Sequence, residues 1–218
     1  MTRGVRIALA LVAVFVLGVA ALLFFGRSEA GGEDSAAGGG VDAAALVRPD
    51  SHRLSSAPDG SVTFVEFLDF ECEACGAAHS SIEELRAEYG DRVSFVVRYF
   101  PMPGHFNGER AARAVEAAAQ QGKFEQMYQR MFETQAQWGE QRIPKDDVFR
   151  GFAADLGLDL AAFDAAYADP ATAARVAADV ADGKALGVSG TPTFFVDGQR
   201  VDASYHQDLV DALDAALG

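Results

Sequence analysis

Hydrophobic residues are distributed along the 218-residue chain in three distinct rhythms. The first is an apolar run from residue 7 to residue 25, interrupted only by Gly18 and flanked by Arg3, Arg6 and Arg27. Its 19 residues exceed the roughly 7–15 of a signal-peptide core and approach the roughly 20 of a bilayer-spanning helix. Length therefore favours a retained transmembrane helix over residues 1–27, and the arginine placement favours an outside position for the chain beyond it. Small residues at Ser28 and Ala30 keep a cleaved signal, and hence a secreted product, open as the alternative. Residues 28–50 are small, polar and glycine-rich, with too few large apolar side chains to fold alone, and read as a flexible linker.

The second rhythm is continuous. Residues 62–70 form a nearly unbroken run of aromatic and branched side chains, the pattern of a strand buried on both faces. Residues 92–100 repeat it and stop at Pro101 and Pro103. The third rhythm is helical. Ile82, Leu85 and Tyr89 recur at helical spacing before Gly90, so a helix begins near Cys72 and ends there. Between residues 104 and 186 the periodicity predicts a block of helices. Ala111, Ala112, Val115, Ala118 and Ala119 mark one; Phe124, Met127, Tyr128, Met131 and Phe132 a second; Val148, Phe149, Phe152 and Leu156 a third. Residues 159–168 and 171–186 add two more, with Trp138, Ile143 and Pro144 falling in a connection. The methionines and aromatics read as core. The runs 193–196 and 199–202 around Asp197-Gly198 predict a hairpin, and Tyr205, Leu209, Leu213 and Leu217 a closing helix. No repeat is evident, and length gives one domain, residues 51–218.

Charge narrows the partners. Residues 28–218 carry 15 basic and 32 acidic side chains, so nucleic acid and anionic membrane surfaces are not expected partners. An acidic surface otherwise serves solubility.

Chemistry concentrates at Cys72 and Cys75, the chain's two cysteines. A bridge between residues three apart closes too short a loop to be an effective staple, which favours a redox role. A closed zinc site would need ligands that no second pair supplies. A two- or three-ligand copper site using His79 or His105 stays open, against the plainer reading of His79 as a surface or packing residue. At a helix N-terminus, unpaired amides and the helix dipole stabilise a thiolate, which makes Cys72 the attacking sulfur. Cys75, one turn further in, is placed to resolve the mixed disulfide. Glu73, between them, opposes ionisation of Cys72 and predicts a smaller pKa depression than in the strongest oxidants. Alternation puts Glu66 on the face of Phe64, Leu68 and Phe70, where burial would raise its pKa. Two readings of it are even: a general base for Cys75, or a partly solvated or salt-bridged glutamate.

The run from Phe67 to Cys75, followed by Val188-Ser189-Gly190-Thr191-Pro192-Thr193-Phe194, resembles the DsbA-like thiol-disulfide oxidoreductases over residues 51–218. The resemblance implies an α/β thioredoxin fold, a central mixed sheet flanked by helices, with a helical insertion at about 104–186. It implies that Pro192 is cis and lies against the cysteines, that Thr191 offers backbone to an extended substrate, and that Glu66 relays protons. Catalytic residues are then Cys72, Cys75 and Glu66, and substrate-binding residues Thr191 and Pro192, with no metal and no cofactor beyond the Cys72–Cys75 disulfide. The expected function is introduction of disulfide bonds into exported proteins, by a monomer held on the outer side of the membrane by its single N-terminal helix. Electrons would leave to a quinone-linked membrane partner of the DsbB or VKOR kind. Glu73-Ala74 departs from the proline and histidine of the strongest oxidants, which keeps a thiol reductant, for example in cytochrome maturation, as the alternative.

Overall fold

Strand β2 (Val62–Leu68) is buried along almost its whole length, as its continuous apolar pattern requires. In the computed structural model, which describes residues 43–58 and 62–218, it lies at the centre of a five-stranded sheet, flanked on one side by β3 (Val93–Tyr99) and then β1 (His52–Arg53), and on the other by β4 (Thr193–Val196) and then β5 (Gln199–Val201). The apolar run 7–25, read as an anchor or signal, and most of the expected linker lie outside the described residues. On one side β2 pairs in parallel with β3 (Val93–Tyr99), Val62 opposite Val93 and Leu68 opposite Tyr99. Two parallel neighbours need a crossover, and helix α2 (Glu73–Tyr89) supplies it, burying Cys75, Ile82, Leu85 and Tyr89. On its other side β2 runs antiparallel to β4 (Thr193–Val196), which turns into β5 (Gln199–Val201). The turn residues Asp197 and Gly198 both have positive φ, 46° and 83°, the backbone that closes a two-residue hairpin with the twist of its strands.

The two sheet faces carry separate cores. Phe64, Phe95 and Phe194 pack with Ile82 and Leu85 of α2 and with Leu209 and Leu213 of α9 (His206–Leu217). Val65, Phe67, Val96 and Phe195 pack on the opposite face with Phe100 and Leu46.

Between β3 and β4 the chain folds as α3 (Gly108–Ala119), α4 (Phe124–Glu133), α5 (Gln135–Trp138), α6 (Asp146–Asp155), α7 (Leu160–Ala168) and α8 (Pro170–Ala185). Ala111, Ala112, Ala114, Ala117 and Ala118 of α3 are buried with Val115, all at 0–2 % exposure, and the small size of the alanines lets neighbouring helices approach closely. α8 starts where Pro170 follows Asp169, whose carboxylate accepts the Ala171 amide at 2.8 Å. A proline in the first turn gives up an amide that would be unpaired anyway.

Two expectations are corrected. Trp138 lies in α5, fully buried and edge-on to Phe149 with ring centroids 4.9 Å apart. The linker does not extend to residue 50. Ala43–Leu46 form a short helix, α1, Leu46 is 2 % exposed, and β1 (His52–Arg53) pairs with the outer edge of β3. The anchor for this segment is Arg98, a cation fully buried on β3. It donates to Asp179 at 2.7 Å and Asp182 at 2.6 Å on α8, and to the carbonyls of Ala45 and Leu46. A buried guanidinium must have all its protons engaged, so Arg98 binds α1, β3 and α8 together.

Candidate active site

The site forms where β2 ends and α2 begins. Cys72 is the N-cap of α2, in extended backbone, and its amide donates to Asp69 O at 3.1 Å. The Cys72 thiol donates to the Thr191 carbonyl at 3.3 Å, across a loop whose Thr191–Pro192 peptide is cis. Both sulfurs are free thiols, Cys72 9 % exposed and Cys75 1 %. The pKa of Cys72 falls from 9.0 to about 5. A hydrogen bond from Cys75 lowers it most, burial opposes, and the Thr191 side chain and the amides of Cys75 and Ala74 add to the lowering. Cys75 moves the opposite way, raised by burial and then by its bond to Cys72 and the charge of Glu66. The pair is therefore asymmetric, with one sulfur ready as thiolate and one held as thiol. The largest forces on the Cys72 sulfur come from groups other than Glu73.

Glu66 lies beneath the pair. It is 3 % exposed, flanked in register by Val97 and Phe194, and its Oε2 has no hydrogen-bond partner among the described residues. Its pKa rises to about 8, chiefly through burial, then through the charges of Glu83 and Cys72. The salt-bridged reading of Glu66 finds no cation against it among the described residues.

The insertion holds the cysteine turn from the other side. Gln135 Nε2 donates to the carbonyls of Phe70 and Cys72, both at 2.8 Å. A Cβ on Gly76 would fall 2.1 Å from Gln135 Oε1, so glycine is what allows this side chain to lie over the helix. Asp69, 1 % exposed, accepts the amides of Glu71 and Met102 and pairs with His105 Nδ1 at 2.5 Å. Glu71 accepts the Asn107 amide at 2.5 Å. Burial works against a charged His105, but the bond to Asp69 and the charges of Asp69 and Cys72 outweigh it and raise its pKa.

Cys72, Cys75, Glu66, Thr191 and Pro192, drawn from three separate stretches of sequence, thus share one place. Sequence reasoning did not find Gln135, Asp69, Glu71 or Asn107. The acids at 69 and 71 inside an otherwise apolar run were the available signal, since a buried carboxylate needs donors. Of the copper candidates, His105 is committed to Asp69, and the His79 ring stacks on Tyr128 with centroids 5.3 Å apart. Among the described residues no group of three or more histidine, cysteine or acidic side chains is arranged to hold a metal ion.

Residues 52–215 match the family described as Thioredoxin, and the chain belongs to that family. Within it the fold is that of the DsbA-like thiol-disulfide oxidoreductases. A thioredoxin-like oxidoreductase from Silicibacter pomeroyi superposes with a TM-score of 0.69 at 29 % identity, over 81 % of this chain and 98 % of that one. BdbD from Bacillus subtilis gives 0.66 at 19 % over 75 % and 91 %, and α-DsbA1 from Wolbachia pipientis 0.67 at 17 % over 78 % and 92 %. Among curated relatives, a Na⁺/H⁺ antiporter NhaA of Herminiimonas arsenicoxydans is 40 % identical over 167 residues, 77 % of this chain and 26 % of that protein. NhaA 1 of Salinispora arenicola is 38 % identical over 178 residues, 81 % of this chain and 26 % of that protein. The chain spans about a quarter of the length of these relatives. Their names describe the whole of those proteins. Among the described residues no helix is long and apolar enough to cross a membrane.

Proposed function

We propose that the domain exchanges disulfides with exported proteins outside the cytoplasm, acting as an oxidant through Cys72 and Cys75. The observation that carries this reading is the asymmetry of the pair: Cys72 at a helix N-cap facing the Thr191 carbonyl, above the more deeply buried Cys75 and a buried acid. In the oxidising direction a substrate thiolate attacks Cys72 of the Cys72–Cys75 disulfide, and the sulfur–sulfur bond breaks. Cys75 leaves with the electron pair and takes the proton of Glu66. The substrate's second thiolate then attacks its own sulfur in the mixed disulfide and releases Cys72 as the thiolate. Two electrons have moved from substrate to enzyme. Stabilising that thiolate stabilises the reduced enzyme, which draws electrons from the substrate.

The substrate backbone would run along Thr191 and Pro192. Beside them lies a groove of about 400 Å³ lined by Ala74, Ala78, Phe194, Tyr205 and Leu209, apolar enough to take an unfolded segment. A quinone-linked membrane protein of the DsbB or VKOR kind would reoxidise the dithiol. An N-terminal anchor would raise the effective concentration of the two partners. Equilibration of the full chain with glutathione tests the direction. A potential near −120 to −180 mV fits an oxidant, and one near −270 mV assigns a reductant instead.

A further inference from the structure

Four buried polar atoms near the base of the site have no hydrogen-bond partner among the described residues: Glu66 Oε2, His79 Nε2, Glu83 Oε1 and Arg86 Nη1. Three of these residues continue a stripe on α2 that begins at Cys75. Cys75, His79 and Glu83 follow at intervals of four, and Arg86 three further on, so all lie on one helix face. The stripe covers roughly 16 Å at 1.5 Å per residue. It ends at the surface, where Arg86 bridges Glu83 at 3.3 Å and Glu125 of α4 at 2.6 Å. Buried polar atoms without protein partners are satisfied by ordered water, and a site offering two to four such atoms holds one well.

We propose that the proton exchanged between Cys75 and Glu66 enters and leaves the protein along this stripe, through ordered water joining Glu66, His79 and Glu83 to the Arg86–Glu125 pair at the surface. The proposal rests on the reading of Glu66 as the proton partner of Cys75. Without such a route a buried acid could serve one half-reaction and then stay in the wrong protonation state. When Cys75 leaves the disulfide it takes the Glu66 proton, and Glu66 recovers one from solvent through the stripe. In the reverse direction Glu66 first gives its proton to solvent along the stripe and, as the carboxylate, then accepts the proton of Cys75.

The groups share one field. Glu83 and Cys72 act on Glu66, and Glu83, Glu133 and Arg86 act on His79. Tyr128 of α4, stacked on His79, feels Glu66, Glu83, Arg86 and Cys75. From the sheet only the apolar Val97 and Phe194 stand beside Glu66 in register. Burial lowers the pKa of His79, which keeps the imidazole neutral, with one donor and one acceptor nitrogen to pass a proton on.

The test uses the reduced full chain mixed with 5,5′-dithiobis(2-nitrobenzoate) in a stopped-flow instrument. Attack by Cys72 releases one nitrothiobenzoate, and attack by Cys75 on the resulting mixed disulfide releases the second, so the second phase isolates Cys75. His79→Phe keeps the stack on Tyr128 and removes both nitrogens. Its second phase should slow relative to the first by about tenfold or more, a smaller effect than the roughly 10²- to 10⁴-fold of a group that exchanges the proton directly. Glu83→Gln removes a charge that raises Glu66, so the pH midpoint of the second phase should move down. His79→Gln repeats the measurement if the phenylalanine variant does not fold. Unchanged phase ratios and midpoints in the histidine and Glu83 variants overturn the route. If Glu66→Gln slows the second phase while these variants do not, the route alone fails. If Glu66→Gln leaves it unchanged, the reading of Glu66 fails as well.

Discussion

Replacing Glu66 by glutamine removes a titrating group from the apolar space under the cysteines, and the effect on stability has a sign and a size. In the folded, reduced protein Glu66 keeps its proton up to about pH 8, whereas its ordinary value is 4.5. Between those two points the folded chain binds more protons than the unfolded one, so stability falls as pH rises. The loss is about 1.4 kcal/mol per pH unit. It reaches about 3 kcal/mol at pH 7 and levels off near 5 kcal/mol above pH 8. Glutamine does not titrate. The stability of Glu66→Gln relative to wild type should therefore climb with pH across this window. Any difference in packing or hydrogen bonding adds an offset that pH does not change. Urea unfolding of both proteins under reducing conditions, at pH 5, 6, 7 and 8, measures it. Parallel stability curves would refute the reasoning, because they would mean that Glu66 ionises in the folded protein as it does in water. The same substitution should slow the Cys75 step by about 10²- to 10⁴-fold, the usual contribution of a positioned acid or base.

Ultraviolet titration of the thiolate should place Cys72 near pH 5; a midpoint above 8 would remove the asymmetry of the pair. Because this pKa lies below that of an unfolded cysteine, its contribution to the reduced fold is complete at high pH and is lost as pH falls through about 5. Chemical unfolding of Arg98→Met should show a loss of about 3 kcal/mol, the low end for a broken buried ion pair, since Arg175 still faces Asp179 at 2.6 Å. A loss under 1 kcal/mol would mean that the Arg98 network does not hold α1 in place. Gly76→Ala should displace Gln135 and cost about 1–3 kcal/mol through two lost hydrogen bonds, seen as a lower urea midpoint, whereas Gly151→Ala, with open space around it, should not.

The long elements were legible because each carries its own periodicity. The strand run of β2, the stripe of α2 and the aromatic spacing of α4 all lie where the pattern put them. What was not legible depends on contacts distant in sequence. Leu46 and Val47 are too short an apolar pair to mark α1 as part of the domain; Arg98 supplies the reason from 52 residues away. Arg98 itself interrupts an apolar run as a surface residue would, and only the two aspartates of α8 reveal it as core. Glu66 could be read from alternation on one strand, whereas the Gln135 contact joins residues 65 apart through a four-residue helix too short to show periodicity.

The clamp by Gln135 has an evolutionary side. It grips the carbonyls of Phe70 and Cys72, atoms that every amino acid possesses, and it leaves Glu73 and Ala74 exposed to solvent. The frame of the site is thus insensitive to which side chains stand between the cysteines. Two codons can drift, or be exchanged in the laboratory, and retune the electron affinity of the pair while the scaffold that aims it stays as it is.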